Sequence, residues 1–146
     1  MKGYISQTDN GERAGEMLAV GDLNGDTYDD LVIVAQNGHK DYHKIYIVFG
    51  SMNLTGGSLA GADVVITRTR GANVPSTWAT FRVSAITTGD LDRDGYDDLV
   101  FSDRLNNRFE VLRGRSAGKW PATMDLWLRI QILPTCTASP GILFRT

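Results

Sequence analysis

Two short stretches of the chain concentrate carboxylate side chains at a spacing suited to a hard metal ion. Nine of the 17 acidic residues lie within residues 22–30 and 90–98, here called the first and second loops. Oxygen donors fall at positions 1, 3, 5, 7 and 9 of each loop, a spacing that can direct them at one cation. The predicted ligands are Asp22, Asn24, Asp26, the main-chain carbonyl of Tyr28 and Asp30 in the first loop, and Asp90, Asp92, Asp94, the carbonyl of Tyr96 and Asp98 in the second.

The donor chemistry predicts calcium, with about two ions for the two loops. All side-chain donors are oxygens, without His or Cys, which favours calcium over zinc or copper. Without a cation the clustered carboxylates would repel one another, so we expect the ion to stabilise the fold. A solvated β-turn would explain a single such loop, but the preserved spacing in two loops favours calcium. An EF-hand is excluded, because position 12 is Ile33 or Phe101 where that motif needs a carboxylate.

The sixth position distinguishes the two loops. A sharp turn there favours a glycine with positive φ, and Gly95 fits this in the second loop. Thr27 occupies the same position in the first loop, where a β-branched side chain is unfavourable. We therefore expect the first site to be the weaker one. Asp29 and Asp97 fall between ligand positions, and we expect them to bind loop amides or solvent.

The two loops belong to an internal repeat. Residues 21–32 align without a gap on residues 89–100, with nine of twelve positions identical and an offset of 68. Apolar, β-branched segments flank both copies, and no segment has a convincing helical period. The predicted strands cover residues 16–20, 31–35, 44–50 and 62–68 in the first unit, and residues 81–86, 99–102, 108–112 and 126–132 in the second. The chain is therefore predicted to be all-β, with about four antiparallel strands per unit, which is the pattern of β-propeller blades.

The strings GDLNGDTYDDLVIVA and GDLDRDGYDDLVFS resemble the FG-GAP repeat of integrin α-subunit propellers and of many bacterial surface and secreted proteins. Phe49-Gly50 matches the first half of that name, whereas the Gly-Ala-Pro half is missing. The resemblance covers about residues 14–114. It implies a calcium-binding, adhesion-type module of an extracellular, cell-surface or periplasmic protein that binds protein or glycan ligands.

The repeat also predicts a division of the chain. Residues 1–13 are interpreted as the end of a preceding blade or an N-terminal remnant, and residues 134–146 as a C-terminal tail. Residues 14–76 and 77–133 form the two predicted blades. Propellers close with four to eight blades, so two blades would leave apolar faces open, including residues 31–35 and 45–49. The chain is therefore interpreted as a fragment of a larger protein or as a self-associating one.

Composition excludes several other classes of protein. The 146 residues carry a net charge of −2 without a basic stripe, which disfavours nucleic acid as a partner. No apolar run is long enough to span a membrane, and the N-terminus has no apolar segment typical of a signal peptide. No catalytic constellation is found, so the chain is not predicted to be an enzyme. The alternatives to a calcium-binding recognition module are an accessory propeller segment of a secreted enzyme and a small oligomeric lectin.

Two further groups of residues could bind ligands. His39, Asp41 and His43 place two imidazoles around a carboxylate, where a polar hairpin tip is expected and metal or ligand binding is the alternative. Trp78, Trp120 and Trp127 are expected to pack in the core or between blades, with a sugar-stacking platform as the alternative.

Overall fold

The computed structural model describes residues 5–6, 12–37, 43–54, 56–67, 81–105 and 107–125. These residues form ten strands: β1 (Ile5–Ser6), β2 (Glu12–Gly21), β3 (Asp30–Asn37), β4 (His43–Val48), β5 (Gly57–Ser58), β6 (Val64–Thr67), β7 (Val83–Gly89), β8 (Asp98–Asp103), β9 (Arg108–Leu112) and β10 (Thr123–Asp125). Within these ranges the only helical segments are two 3-10 turns, Leu59–Gly61 and Ala117–Lys119. Neither turn has the length or apolar character to cross a membrane. The predicted all-β class is confirmed.

The first unit forms an antiparallel sheet in the order β2, β3, β4 and β6. Its central strand β3 is apolar on both sides, because each face of the sheet is covered by other residues. Val32 lies opposite Ile47 and Val34 opposite Ile45, and these four side chains are fully buried on one face. The four strands predicted for this unit are confirmed.

The second unit differs from the first at its fourth strand. β7, β8 and β9 form an antiparallel sheet, as predicted. The next strand of the chain, β10, pairs in parallel with β6 and so extends the sheet of the first unit. A main-chain hydrogen bond of 2.8 Å from the Val65 amide to the Ala122 carbonyl adjoins this pairing. The strand predicted at residues 126–132 lies outside the described residues, as do the residues 134–146 assigned to a tail.

The two sheets share one hydrophobic core. A single buried cluster takes residues from both units: Leu23, Val32, Val34, Ile45, Ile47, Val64, Ile66, Phe81, Val83, Leu99, Phe101, Leu112, Trp120 and Met124. A smaller cluster around Leu59 covers Ile33 and Tyr46 on the other face of the first sheet. The expectation that residues 31–35 and 45–49 form an uncovered face is therefore wrong. Much of this apolar surface is already buried between the two units or beneath Leu59.

Both units place their acidic loop at the same position. In each unit the loop joins the first two strands, β2 to β3 or β7 to β8, and both first strands carry an irregularity in pairing near their start. In β2 this irregularity lies between Ala14 and Met17 and contains Gly15 at a φ of 85°. Such a bulge increases the local twist of the strand. The repeat in sequence is thus a repeat in backbone geometry, and it delivers the two loops in equivalent settings.

Candidate metal centres

The first aspartate of each loop organises the backbone of that loop. Asp22 accepts hydrogen bonds at Oδ1 from the amides of Gly25 and Asp26, at 2.7 and 3.1 Å, and at Oδ2 from the amide of Thr27, at 2.8 Å. The carboxylate thereby holds the following turn around itself, as Asx side chains do in tight turns.

Asp90 does the same in the second loop. It accepts hydrogen bonds from the amides of Asp94 and Gly95, at 3.2 and 3.1 Å. The matching bonds show that position 1 of both loops is already fixed by the protein's own amides, and that its carboxylate faces the inside of the turn.

The fifth and seventh positions are linked in the same way in both loops. The amide of Tyr28 donates to Oδ1 of Asp26 at 2.9 Å, and the amide of Tyr96 donates to Oδ1 of Asp94 at 3.0 Å. In the first loop Asn24 Oδ1 also accepts from the amide of Asp26 at 2.9 Å. The predicted ligands at positions 1, 3, 5 and 7 of the first loop are thus linked by side chain–main chain contacts, and so are those at positions 1, 5 and 7 of the second loop.

Two positions in each loop have a left-handed backbone. The sixth position has φ values of 74° at Thr27 and 89° at Gly95, so the predicted positive φ is confirmed in both loops. The fourth position is also left-handed, with φ values of 75° at Gly25 and 62° at Arg93. Sequence reasoning missed the fourth position, although Gly25 was a signal for it.

The ninth position is buried and fixed by main-chain amides. Asp30 accepts from the Leu23 amide at 2.9 Å and from the Gly50 amide at 2.8 Å, and its side chain is fully buried. Asp98 accepts from the matching amides of Leu91 and Gly114, at 3.1 and 2.9 Å. These aspartates therefore join the start of the loop to the end of the third strand of their unit.

Burial determines the protonation behaviour of Asp30. Loss of hydration raises its pKa from 3.8 to about 6. The amides of Gly50 and Leu23 act in the opposite direction, and the carboxylates of Asp26 and Asp22 add to the rise. A nearby cation would favour the ionised form, so this carboxylate lies where a bound metal would be stabilising.

The glycine after the third strand of each unit is required by a close backbone approach. A Cβ on Gly50 would overlap the Asp29 carbonyl oxygen, and a Cβ on Gly114 would overlap that of Asp97. Gly50 is the glycine of the Phe49-Gly50 pair. Its role is therefore to let the chain pass beside the loop while its amide binds Asp30.

Three carboxylates converge in the second loop. Asp90, Asp92 and Asp94 each offer a ligand oxygen, and these oxygens lie within 4.8 Å of one another. All three side chains are exposed, so a hydrated ion can reach them. The first loop has Asp22, Asn24 and Asp26 at the matching positions. Asp98 is not one of the converging three; it lies buried at the base of the loop.

A basic side chain pairs with one carboxylate of the second loop. Arg113 Nη1 forms an ion pair with Asp92 Oδ2. In the first unit the matching positions hold Phe49 and Asn24, neither of which is charged. The additional carboxylate Asp92 is thus paired with a cation that has no counterpart at the matching position of the first unit.

The second loop also contacts the first directly. Asp97 Oδ2 accepts from the Asp22 amide at 3.0 Å, and the Asp97 amide donates to the Asp22 carbonyl at 2.8 Å. The Tyr96 ring covers Gly25 so closely that a Cβ there would overlap it. The prediction that Asp97 binds a loop amide is therefore confirmed, but the amide belongs to the other loop.

The remaining ligand candidates are only partly described. His43 is not at a polar tip: it is buried in β4, where its Nδ1 accepts from the Val83 amide at 3.0 Å and its Nε2 lies 3.4 Å from Glu16 Oε2. His39 and Asp41 lie outside the described residues, as do Trp78 and Trp127. Trp120 is buried and donates from Nε1 to the Arg115 carbonyl at 2.8 Å, consistent with the predicted packing role.

Repeated blade-type antiparallel sheets with an acidic loop after each first strand define an all-β repeat protein of the propeller class. The FG-GAP repeat family model matches residues 14–48, which span most of β2, the first loop, and all of β3 and β4. The predicted resemblance to the FG-GAP repeat is thus confirmed for residues 14–48. Repeats of this family form propeller-type modules and usually occur in extracellular or surface proteins. No curated protein and no solved structure matches the chain significantly.

Proposed function

We propose that the chain is a calcium-binding FG-GAP module of an extracellular or cell-envelope protein, acting in protein or glycan recognition and not in catalysis. The observation that carries the proposal is the convergence of the Asp90, Asp92 and Asp94 carboxylate oxygens within 4.8 Å in a loop already organised around Asp90. The family match at residues 14–48 supports the same proposal for the first loop.

The donor set fits calcium. Carboxylate, amide and main-chain carbonyl oxygens in a flexible, partly exposed loop are the ligands that calcium prefers, whereas magnesium retains its waters and demands a smaller octahedral shell. In the first loop the ion would be held by Asp22, Asn24, Asp26, the Tyr28 carbonyl and Asp30. Asp90, Asp92, Asp94, the Tyr96 carbonyl and Asp98 would hold it in the second. When bound, calcium would neutralise the clustered carboxylates and cross-link each turn.

Calorimetric titration of the chelator-treated chain tests the metal assignment. We expect two calcium sites, and an increase in melting temperature when calcium is added, because the ion binds the folded loops in preference to the unfolded chain. Asp90→Ala should abolish the second site and leave the first. Magnesium at the same concentration should stabilise the chain far less.

A matched control lies within the first loop. Asp29 is exposed and is not among the predicted ligands, so Asp29→Asn should leave both calcium affinities unchanged. If neither heat of binding nor melting temperature responds to calcium in the parent chain, the metal assignment is wrong. If Asp29→Asn weakens calcium as much as Asp22→Asn does, the ligand set is wrong while calcium binding stands.

Ligand recognition has its own test. The chain, with calcium and with EDTA, can be applied to a glycan array and to immobilised extracellular-matrix proteins. Binding that is lost in EDTA and restored by calcium would support a recognition module. Binding of neither class of ligand would contradict this part of the proposal and leave the calcium sites unaffected.

A further inference from the structure

The two units have different surroundings at positions that the repeat makes equivalent. Leu23 in the first loop is fully buried, whereas its counterpart Leu91 in the second loop is 58% exposed. Ile45 in β4 is fully buried, whereas its counterpart Phe109 in β9 is 72% exposed. Leu23 and Ile45 belong to the cluster shared with the second unit. We call the sheet face that bears Leu23 and Ile45 the back face. It is covered in the first unit, whereas the equivalent face of the second unit, which bears Leu91 and Phe109, is uncovered.

The opposite face shows the reverse difference. In the second unit Ile86 of β7 packs against the shared cluster, together with the buried Leu99 and Leu112. The counterpart of Ile86 in the first unit is Leu18 of β2, which is 57% exposed. Its neighbour Val20 on the same strand face is also exposed. The front face of the first unit is therefore uncovered on its loop side, around Leu18 and Val20, while Ile33 and Tyr46 on the same face are buried beneath Leu59.

The hydrogen bonds of the internal contact show the same pattern. Asp97 binds the main chain of Asp22 through both its side chain and its amide. Its counterpart in the first unit, Asp29, is exposed, and its side chain has no hydrogen bond to the described residues. A Cβ on Gly21 would overlap Asp97 and Thr88, whereas a Cβ on Gly89 would meet no described atom within 4 Å. Each end of the two-unit stack thus displays one half of the contact formed within it.

From these matched halves we propose that the chain associates head to tail with a second copy of itself. The front face of one copy, with Leu18, Val20 and Asp29, packs on the back face of the next, with Leu91 and Phe109. The occupant is another copy because the chain itself carries the complementary half and already forms this contact between its units. A heterologous contact of this kind extends into a ring or a filament and does not stop at a symmetric dimer.

Two contacts differ between the internal and the proposed interface. In the internal contact the Tyr96 ring packs on Gly25. The counterparts of these residues in the proposed interface are Tyr28 of the incoming copy and Arg93, so the Tyr28 ring would stack on the Arg93 guanidinium group. In the internal contact the Thr88 hydroxyl donates to the Val20 carbonyl. The counterpart of Thr88 in the first unit is Val20, whose side chain cannot donate, so an apolar contact replaces that hydrogen bond in the proposed interface. These two replacements, together with the Leu59 turn that covers Ile33 where the internal contact buries its counterpart Phe101, predict that the interface is weaker than the internal contact.

Complementary single-face variants test the proposal. Leu18→Asp blocks the front face and Phe109→Asp the back face, and both positions are exposed, so neither change should unfold the chain. Sedimentation velocity of the parent should show concentration-dependent assembly. Each variant alone should be monomeric, with its association constant reduced on the order of tenfold or more. A mixture of the two variants should form a one-to-one complex and nothing larger, because only one intact front and one intact back remain.

The controls separate this interface from other causes of association. Leu105→Asp changes an exposed leucine in the β8–β9 hairpin, at the far end of β8 from the second loop, and should assemble like the parent. Val20→Asp and Leu91→Ser repeat the two blocks if circular dichroism shows that a first variant is misfolded. A parent chain that remains monomeric at high micromolar concentration overturns the proposal. So does a mixture that stays monomeric, or a single variant that still assembles.

Discussion

At the scale of single residues, each loop combines one glycine and one bulkier residue at its two left-handed positions, in opposite order. The first loop has Gly25 and then Thr27, and the second has Arg93 and then Gly95. A side chain at positive φ costs about 1 kcal/mol, and more for a β-branched residue than for an unbranched one. The first loop is therefore still expected to be the more strained, but by less than the sixth position alone suggests.

Glycine substitutions measure this strain. Thr27→Gly should strengthen calcium binding at the first loop roughly five- to tenfold if the strain falls wholly on the bound state. Arg93→Gly should have a smaller effect at the second loop, and Gly95→Ala should weaken that loop. Asp90→Ala should be more damaging than any of these, because it removes a charged ligand. Calorimetric titration beside the parent provides the comparison; an unchanged or weaker first site in Thr27→Gly would refute the ranking.

Arg113 is a second residue expected to change calcium affinity, in this case at the second loop. Its guanidinium group pairs with Asp92, one of the three converging carboxylates, and so competes with a metal ion. Arg113→Phe, which reproduces the Phe49 of the first unit, should raise calcium affinity at the second loop up to about fivefold, the range of a partly exposed ion pair. Arg104→Gln, at an exposed position, should have no effect. Weaker binding in Arg113→Phe would show instead that Arg113 positions Asp92 as a ligand.

The buried carboxyl of Asp30 predicts a pH dependence. Its pKa of about 6 lies above its ordinary value of 3.8, so between these values the metal-free folded chain binds a proton that the unfolded chain does not. The group therefore stabilises the fold increasingly as pH falls from about 6 to about 4. Calcium must displace that proton, so affinity at the first loop should decline below about pH 6. Carboxyl-carbon NMR should place the Asp30 midpoint near 6 in EDTA; a midpoint near 4 would contradict it.

At the scale of elements, the second loop is hydrogen-bonded to the first through Asp97. Asp97→Ala would remove the acceptor of the Asp22 amide and should destabilise the monomer by about 1–2 kcal/mol in denaturant unfolding. Asp29→Ala removes the equivalent side chain of the first unit, which is exposed, and should change stability by no more than about 0.5 kcal/mol. Equal effects of the two substitutions would show that the inter-loop bond contributes nothing to stability.

The repeat made these elements largely predictable, but not their neighbours. Strands on both sides of each loop, the positive φ at Thr27 and the packing of Trp120 followed from the residues themselves. The exposure of Leu91 could not follow, because Leu91 and Leu23 occupy the same position of the repeat, directly after Gly-Asp, whereas their burial depends on which sheet lies next to them. The parallel pairing of β10 with β6 was missed for a similar reason: strand pattern specifies pairing partners weakly when several edges are available.

At the scale of the whole molecule, the two units form one core and should unfold together. Phe101 in β8 is almost fully buried, and its ring centroid lies 5.6 Å from that of Phe81. Both belong to the cluster that contains Val32 and Ile47 of the first sheet. Truncation of Phe101 would leave a cavity at the centre of this cluster and remove contacts from both sheets, although Phe101 belongs to the second unit alone.

We accordingly expect Phe101→Ala to lower the free energy of unfolding by about 3–5 kcal/mol, the usual range for a truncated buried aromatic residue. Phe109→Ala is the matched control, because it removes the same side chain from an exposed position of the adjacent strand. It should cost no more than about 0.5 kcal/mol at concentrations where the chain is monomeric. Amide hydrogen exchange gives the decisive measurement. In Phe101→Ala the amides of β3 and β4 should lose protection together with those of β8, because opening the shared core exposes both sheets. If protection falls in the second unit alone, the two sheets are independent folding units and the single-core description is wrong.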